Sequence, residues 1–127
     1  MNIVIIGGSR GIGKAAAAML AKDGHRLLLV GRNAESLENV KKALPECDIF
    51  PADITKEQDV YDLTEYIDAH FPIDGLILNA AAFPSPQTSR SVLKPSVQEL
   101  TDILDANVVA HYRLVQLLFP LFQKQGG

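Results

Sequence analysis

The stretch Ile5-Ile6-Gly7-Gly8-Ser9-Arg10-Gly11-Ile12-Gly13-Lys14 carries four glycines in seven positions, between an apolar run and an alanine-rich one. Read from Gly8 it satisfies G-x-x-x-x-G-K, a loop whose lysine reaches the terminal phosphates of a nucleoside triphosphate. The next residue is Ala15, where that chemistry requires a hydroxyl on magnesium, so a triphosphatase is the weaker reading. Read from Gly7 it is G-x-x-x-G-x-G, running from a buried strand into a helix. Gly7 and Gly11 let the backbone turn and approach a pyrophosphate, Gly13 lets the helix pack close to the sheet, and the helix start offers free N–H donors.

The flanking sequence supports the second reading. Short apolar runs at Asn2 to Gly7, Arg26 to Gly31, Asp48 to Ala52 and Asp74 to Asn79 read as strands buried on both faces. Between them the apolar spacing turns helical. Ile12, Ala15, Ala16, Met19 and Leu20 are predicted to share one face, Leu37, Val40 and Leu44 a second, and Val60, Leu63, Ile67 and Phe71 a third. A last helix is expected from about Ser96, with Leu100, Ile103, Leu104, Asn107, Val108, His111, Val115 and Leu118 along one side and a bend or end at Pro120. Regular alternation of strand and helix predicts an α/β, Rossmann-like, doubly wound parallel sheet. Its expected strand order is 3-2-1-4, which leaves the fourth strand as an open edge. The irregular stretch from Ala80 to Pro95, with three prolines and four hydroxyl side chains, reads as a functional loop.

Composition narrows the function. A chain of 127 residues, 47% hydrophobic and 21% charged, is expected to form a single domain over residues 1–127. A net charge of −3 with no basic run argues against a nucleic-acid partner and against a membrane surface. Leu114 to Phe122, broken by Gln116 and Pro120, falls far short of the roughly 20 apolar residues that cross a bilayer. A lone cysteine, Cys47, and no signal-peptide pattern at Met1 point to the cytoplasm.

The second strand selects the dinucleotide. A site for NAD(H) usually carries an acidic side chain there for the ribose 2′-hydroxyl, whereas this chain has Gly31-Arg32. A guanidinium suits a 2′-phosphate, and Arg10 in the glycine loop can approach the same group, so NADP(H) is preferred. Two such contacts amount to a preference of roughly thirty- to a thousandfold.

Together these residues resemble the short-chain dehydrogenases/reductases over essentially the whole chain. The family loop is commonly T-G-x-x-x-G-x-G, which Ile6 to Gly13 matches at every glycine and misses at the threonine. The resemblance implies cofactor contacts at Gly7, Ser9, Arg10, Gly11, Ile12, Gly13 and Arg32. It implies others at Asp53 and Ile54, where the family aspartate accepts from the adenine amino group, and at Asn79 and Ala80. These last belong to Leu78-Asn79-Ala80-Ala81, which resembles the family's N-N-A-G. A capping box of Thr55 with Gln58 is expected to start the third helix and leave Asp53 free for a ligand. Asn107 matches the helix asparagine that the family uses in a proton relay, or serves as a buried structural amide.

The family's catalytic pair, a tyrosine with a lysine four residues on, has no counterpart in this sequence. Tyr61 is followed by Glu65, Tyr66 by His70 and Tyr112 by Gln116. The sequence therefore reads as the amino-terminal half of the fold, truncated after the fourth strand and its following helix. The resemblance implies an NADP(H)-binding portion of an oxidoreductase that moves hydride between nicotinamide and a small carbonyl or alcohol substrate. A non-catalytic dinucleotide-binding or interaction module is the alternative. Association with a second copy, through the last helix or the open fourth strand, is expected.

Overall fold

The computed structural model describes residues 1–83 and 95–125; most of the predicted Ala80–Pro95 loop, residues 84–94, lies outside them. Strands β1 (Asn2–Ile6), β2 (Arg26–Gly31), β3 (Asp48–Pro51) and β4 (Gly75–Leu78) form one parallel sheet in the order β3-β2-β1-β4, as the sequence predicts. Helices α1 (Gly11–Lys22), α2 (Ala34–Ala43) and α3 (Glu57–His70) make the crossovers, followed by α4 (Val97–Leu104), a π-helical turn (Asp105–Val109) and α5 (Ala110–Lys124).

The pleat sends alternate residues of β1 and β2 into two separate cores. On one face Val4, Ile6, Leu28 and Val30 pack with Val60, Leu63 and Ile67 of α3, with Phe71 just past its end, and with Ala110, Leu114 and Leu118 of α5. On the other, Ile3, Ile5, Leu27 and Leu29 pack with Ala17 of α1 and with Leu37 and Val40 of α2. Each fully buried aliphatic side chain of these sets contributes on the order of 2 kcal/mol. The predicted faces of α2 and α3 are therefore the buried ones.

Two helix faces differ from the sequence reading. In α1 the inward residues are Gly13 and Ala17, with Leu20 and Ala21 beside them, while Ile12 and Met19 stand 79% and 68% exposed. The helix packs so close to the sheet that only small residues fit beneath it, which inverts the usual inference from hydrophobicity. In the last segment the π turn adds a residue and rotates the phase of the helix beyond it. The buried stripe of α5 becomes Ala110, Leu114, Leu118 and Leu121, and Leu100, Leu104, Val108 and Val115 are turned outward. Pro120 does not end the helix, since α5 runs on to Lys124. Pro120 is on the exposed side, while Leu121 stays buried, Lys124 pairs with Asp68 at 2.9 Å, and Gln125 Oε1 accepts the Ile73 amide at 2.7 Å.

The sheet's two edges are unalike. Strand β3 ends on Pro51, which has no amide to offer a further strand, and Asp48 is tied to Arg26 at 2.9 Å. Among the described residues strand β4, Gly75-Leu76-Ile77-Leu78, pairs with β1 alone, and it carries neither proline nor charge.

Candidate functional site

All four strands deliver their carboxyl ends to one side, where a cleft of about 950 Å³ opens. It sits where the chain order reverses between β1 and β4, the place at which open parallel sheets bind ligands. Its walls come from Gly7 and Ser9 to Ile12, Gly31 to Asn33, Ala52 to Thr55, Asn79 to Phe83, and Ala106 of the π turn. Ten of the eleven sequence-predicted cofactor residues line it: Gly7, Ser9, Arg10, Gly11, Ile12, Arg32, Asp53, Ile54, Asn79 and Ala80.

The eleventh, Gly13, lies underneath. A β-carbon there would run into the Gly7 carbonyl oxygen and come within 2.8 Å of Asn79 Nδ2. Gly7 itself has φ +87°, and a β-carbon on it would lie 2.6 Å from the Ala80 amide nitrogen. Asn79 closes this knot by donating from Nδ2 to the Gly7 carbonyl at 3.2 Å. The loop is thus fixed to the end of β4 by backbone approach, and the Asn79 amide serves that packing.

Above the knot, the start of α1 is bare. Arg10 occupies its cap position without a side-chain hydrogen bond, and the first turn has no acidic residue. Among the described residues no group accepts from the amides of Gly11, Ile12 and Gly13, and a β-carbon on Gly11 would meet nothing within 4 Å. Unpaired amides, a positive helix end and open space before them fit an oxyanion such as a diphosphate. Arg10 and Arg32, both exposed, add positive charge on the same side of the cleft.

Asp53 is held more tightly than the sequence suggests. Its Oδ1 accepts from the Thr55 hydroxyl at 2.7 Å and the Thr55 amide at 3.0 Å. Burial pushes its carboxyl up, but those two bonds, with the nearby charges of Arg32 and Lys56, bring it below the ordinary aspartate range. The expected capping box is absent: Lys56 is the cap residue of α3, Thr55 turns back to Asp53, and Gln58 Nε2 donates to Asp62 at 2.7 Å. A three-residue turn closed by the Asp53 side chain takes Thr55 first, and Glu57 and Asp59 supply the negative charge at the helix start.

Asn107 does not line the cleft but braces it. From the π turn its Oδ1 accepts the Ala82 amide at 2.6 Å and its Nδ2 donates to the Ala82 carbonyl at 2.8 Å. Its own carbonyl accepts from His111 Nδ1 at 3.1 Å, which puts the ring proton on that nitrogen. The sequence reading missed the cleft residues Asn33, Thr55 and Ala106, whereas Phe83 falls in the stretch it reads as a functional loop. Only Asn33 carried a usable signal, a cap residue three positions before Ser36.

A four-stranded parallel sheet with a bare, glycine-turned helix start at its reversal point defines a Rossmann-like nucleotide-binding fold. The family model described as short chain dehydrogenase matches residues 1–127, and the chain belongs to that family. It is similar to carbonyl reductase family member 4 of Danio rerio, 32% identical over 108 residues, covering 84% of this chain and 44% of that protein. An uncharacterized oxidoreductase of Listeria monocytogenes serovar 1/2a is 33% identical over 131 residues, covering 98% and 51%. Among solved structures, a short chain dehydrogenase from Bacillus anthracis superposes with a TM-score of 0.84 at 28% identity, covering 98% of this chain and 51% of that one. The chain thus spans about half the length of the relatives it matches.

Proposed function

We propose that this chain is the NADP(H)-binding portion of a short-chain oxidoreductase acting on a small carbonyl or alcohol. The observation that carries the reading is the bare start of α1 with Arg10 and Arg32 beside it, in a cleft at the sheet's reversal point. When bound, the nicotinamide supplies a hydride donor or acceptor. The chain's own part is to hold the coenzyme: α1 amides on the diphosphate, Arg10 and Arg32 on the 2′-phosphate, Asp53 and Ile54 on the adenine, and Asn79 with Ala80 toward the nicotinamide ribose. Asn107 keeps the Ala82 segment in place beside that ribose. Within these residues no tyrosine has a lysine four positions on, so the acid–base step belongs to groups outside them.

Titration with NADPH and NADH tests the reading. NADPH is expected to bind at least about thirtyfold more tightly, and Arg32→Ala to remove most of that ratio. Equal affinities would refute the 2′-phosphate assignment, and binding of neither coenzyme would refute the site.

Two further expectations accompany this reading. A buried free thiol at Cys47, and no helix among the described residues long and apolar enough to cross a membrane, support a cytoplasmic protein. The outward residues Val97, Leu104, Val108, Tyr112 and Phe119, or the open β4 edge, support self-association, which sedimentation as a monomer at high concentration would exclude.

A further inference from the structure

Asp59 lies in the first turn of α3, outside the residues that line the cleft, yet it reaches back to the site. Its Oδ2 accepts the Asp53 amide at 2.8 Å in a part-buried setting. The Asp53 carbonyl accepts the Lys56 amide at 2.9 Å, and Asp53 Oδ1 is taken by Thr55. On either side, Ala52 and Ile54 are buried, and the Ala52 amide donates to the Gly31 carbonyl at 3.0 Å. Among the described residues Asp53 therefore has its amide, its carbonyl and one carboxylate oxygen engaged, which leaves Oδ2 as the remaining acceptor in a fixed direction.

Helix-end charge alone does not explain Asp59. Glu57 already puts a carboxylate in the same turn, and among the described residues its hydrogen bond is from the Tyr61 hydroxyl, at 3.5 Å. What Asp59 adds is an acceptor at one point, on the amide of the residue that faces the ligand.

We propose that Asp59 is a positioning residue that aims the free Asp53 oxygen and so selects a purine bearing an exocyclic amino group over one bearing an oxo group. The inference rests on the dinucleotide reading above. An amino group donates to a carboxylate oxygen, whereas an oxo group offers only lone pairs against it.

The test compares NADPH with its hypoxanthine analogue, titrated into the folded chain and into Asp59→Ala, Asp59→Ser and Asp59→Asn. The unmodified chain should prefer the adenine form by about tenfold. Asp59→Asn keeps an acceptor oxygen and should retain that ratio, while Asp59→Ala should bring it to within about twofold. If Asp59→Ala fails to fold by circular dichroism, Asp59→Ser, whose hydroxyl is too short to reach, should show the same loss. A ratio undiminished in the folded Ala or Ser variant, or no preference in the unmodified chain, overturns the proposal. No binding of either coenzyme by the unmodified chain overturns the dinucleotide reading itself.

Discussion

Helices α1 and α2 begin on the same rim of the sheet, one after β1 and the other after β2, and the chain finishes them in opposite ways. At α2, Asn33 Oδ1 accepts the Ser36 amide at 2.8 Å and Glu35 stands in the first turn. At α1 the cap position holds an arginine, the first turn is Gly11-Ile12-Gly13, and no carboxylate is near in sequence. A capping side chain stabilises a helix by about 1 kcal/mol, so its absence from one of two adjacent helices leaves donors for something outside the chain. The packing beneath strengthens the contrast, because the glycines of α1 are required by close approach while α2 is anchored by the ordinary side chains Leu37 and Val40.

The harshest way to break the contrast is to fill the space under α1. Gly13→Val would set a branched side chain against the Gly7 carbonyl and Asn79 Nδ2, both of which belong to the sheet end. Loss of about 3 kcal/mol or more is expected, read from urea unfolding, together with loss of coenzyme binding. A well-folded variant of native stability would mean that the helix can slide, and that the knot does not fix the loop.

The next test makes α1 resemble α2. Ile12 is exposed, so Ile12→Asp adds a carboxylate to the first turn without disturbing the core. Two effects of opposite sign are expected: a gain of about 0.5 kcal/mol in stability from the helix end, and about tenfold weaker NADPH binding from repulsion of its phosphates. Stability and affinity moving together would contradict an anion site at this helix. The converse change, Asn33→Ala, makes α2 resemble α1. It should lower stability by about 1 kcal/mol in urea unfolding. A change within error would show the Asn33 cap to be idle.

The same contrast marks what the sequence could and could not reveal. Strand positions, strand order and the faces of α2 and α3 were legible because short apolar runs, buried on both faces in β1 and β2 but only partly buried in β3 and β4, and a 3.6-residue period write themselves into residue types. The glycine loop was legible because few other chemistries need glycines at that spacing between a strand and a helix. The α1 face was not, since close packing there selects small residues and leaves Ile12 and Met19 outside. The stripe of α5 was not, because the π turn at Asp105–Val109 leaves no compositional mark. Asp59 was hidden for a related reason: its bond to Asp53 depends on how the chain folds between β3 and α3, and an aspartate in a first helical turn already has a sufficient local explanation.

The third junction, between β3 and α3, lies between the two extremes, and its signature is a pH dependence. Among the described residues Asp53 keeps one oxygen on Thr55 and one uncommitted, and its folded-state carboxyl is held below the ordinary value of about 3.9, against burial, by Thr55, Arg32 and Lys56. A carboxyl depressed by folding contributes stability that is present above its unfolded value and is lost as pH falls through the folded one. Between pH 5 and pH 3 the unmodified chain should therefore lose slightly more stability than Asp53→Asn, in urea unfolding at low salt. The group is only partly buried, so the part owed to Arg32 and Lys56 should shrink in 0.5 M salt while the part owed to the Thr55 bonds persists. Thr55→Val, which removes the hydroxyl donor, should then account for part of what salt leaves. Identical acid limbs for the unmodified chain and Asp53→Asn would mean that this carboxylate is bound no better in the folded chain than in water, and that the β3–α3 junction is as bare as the start of α1.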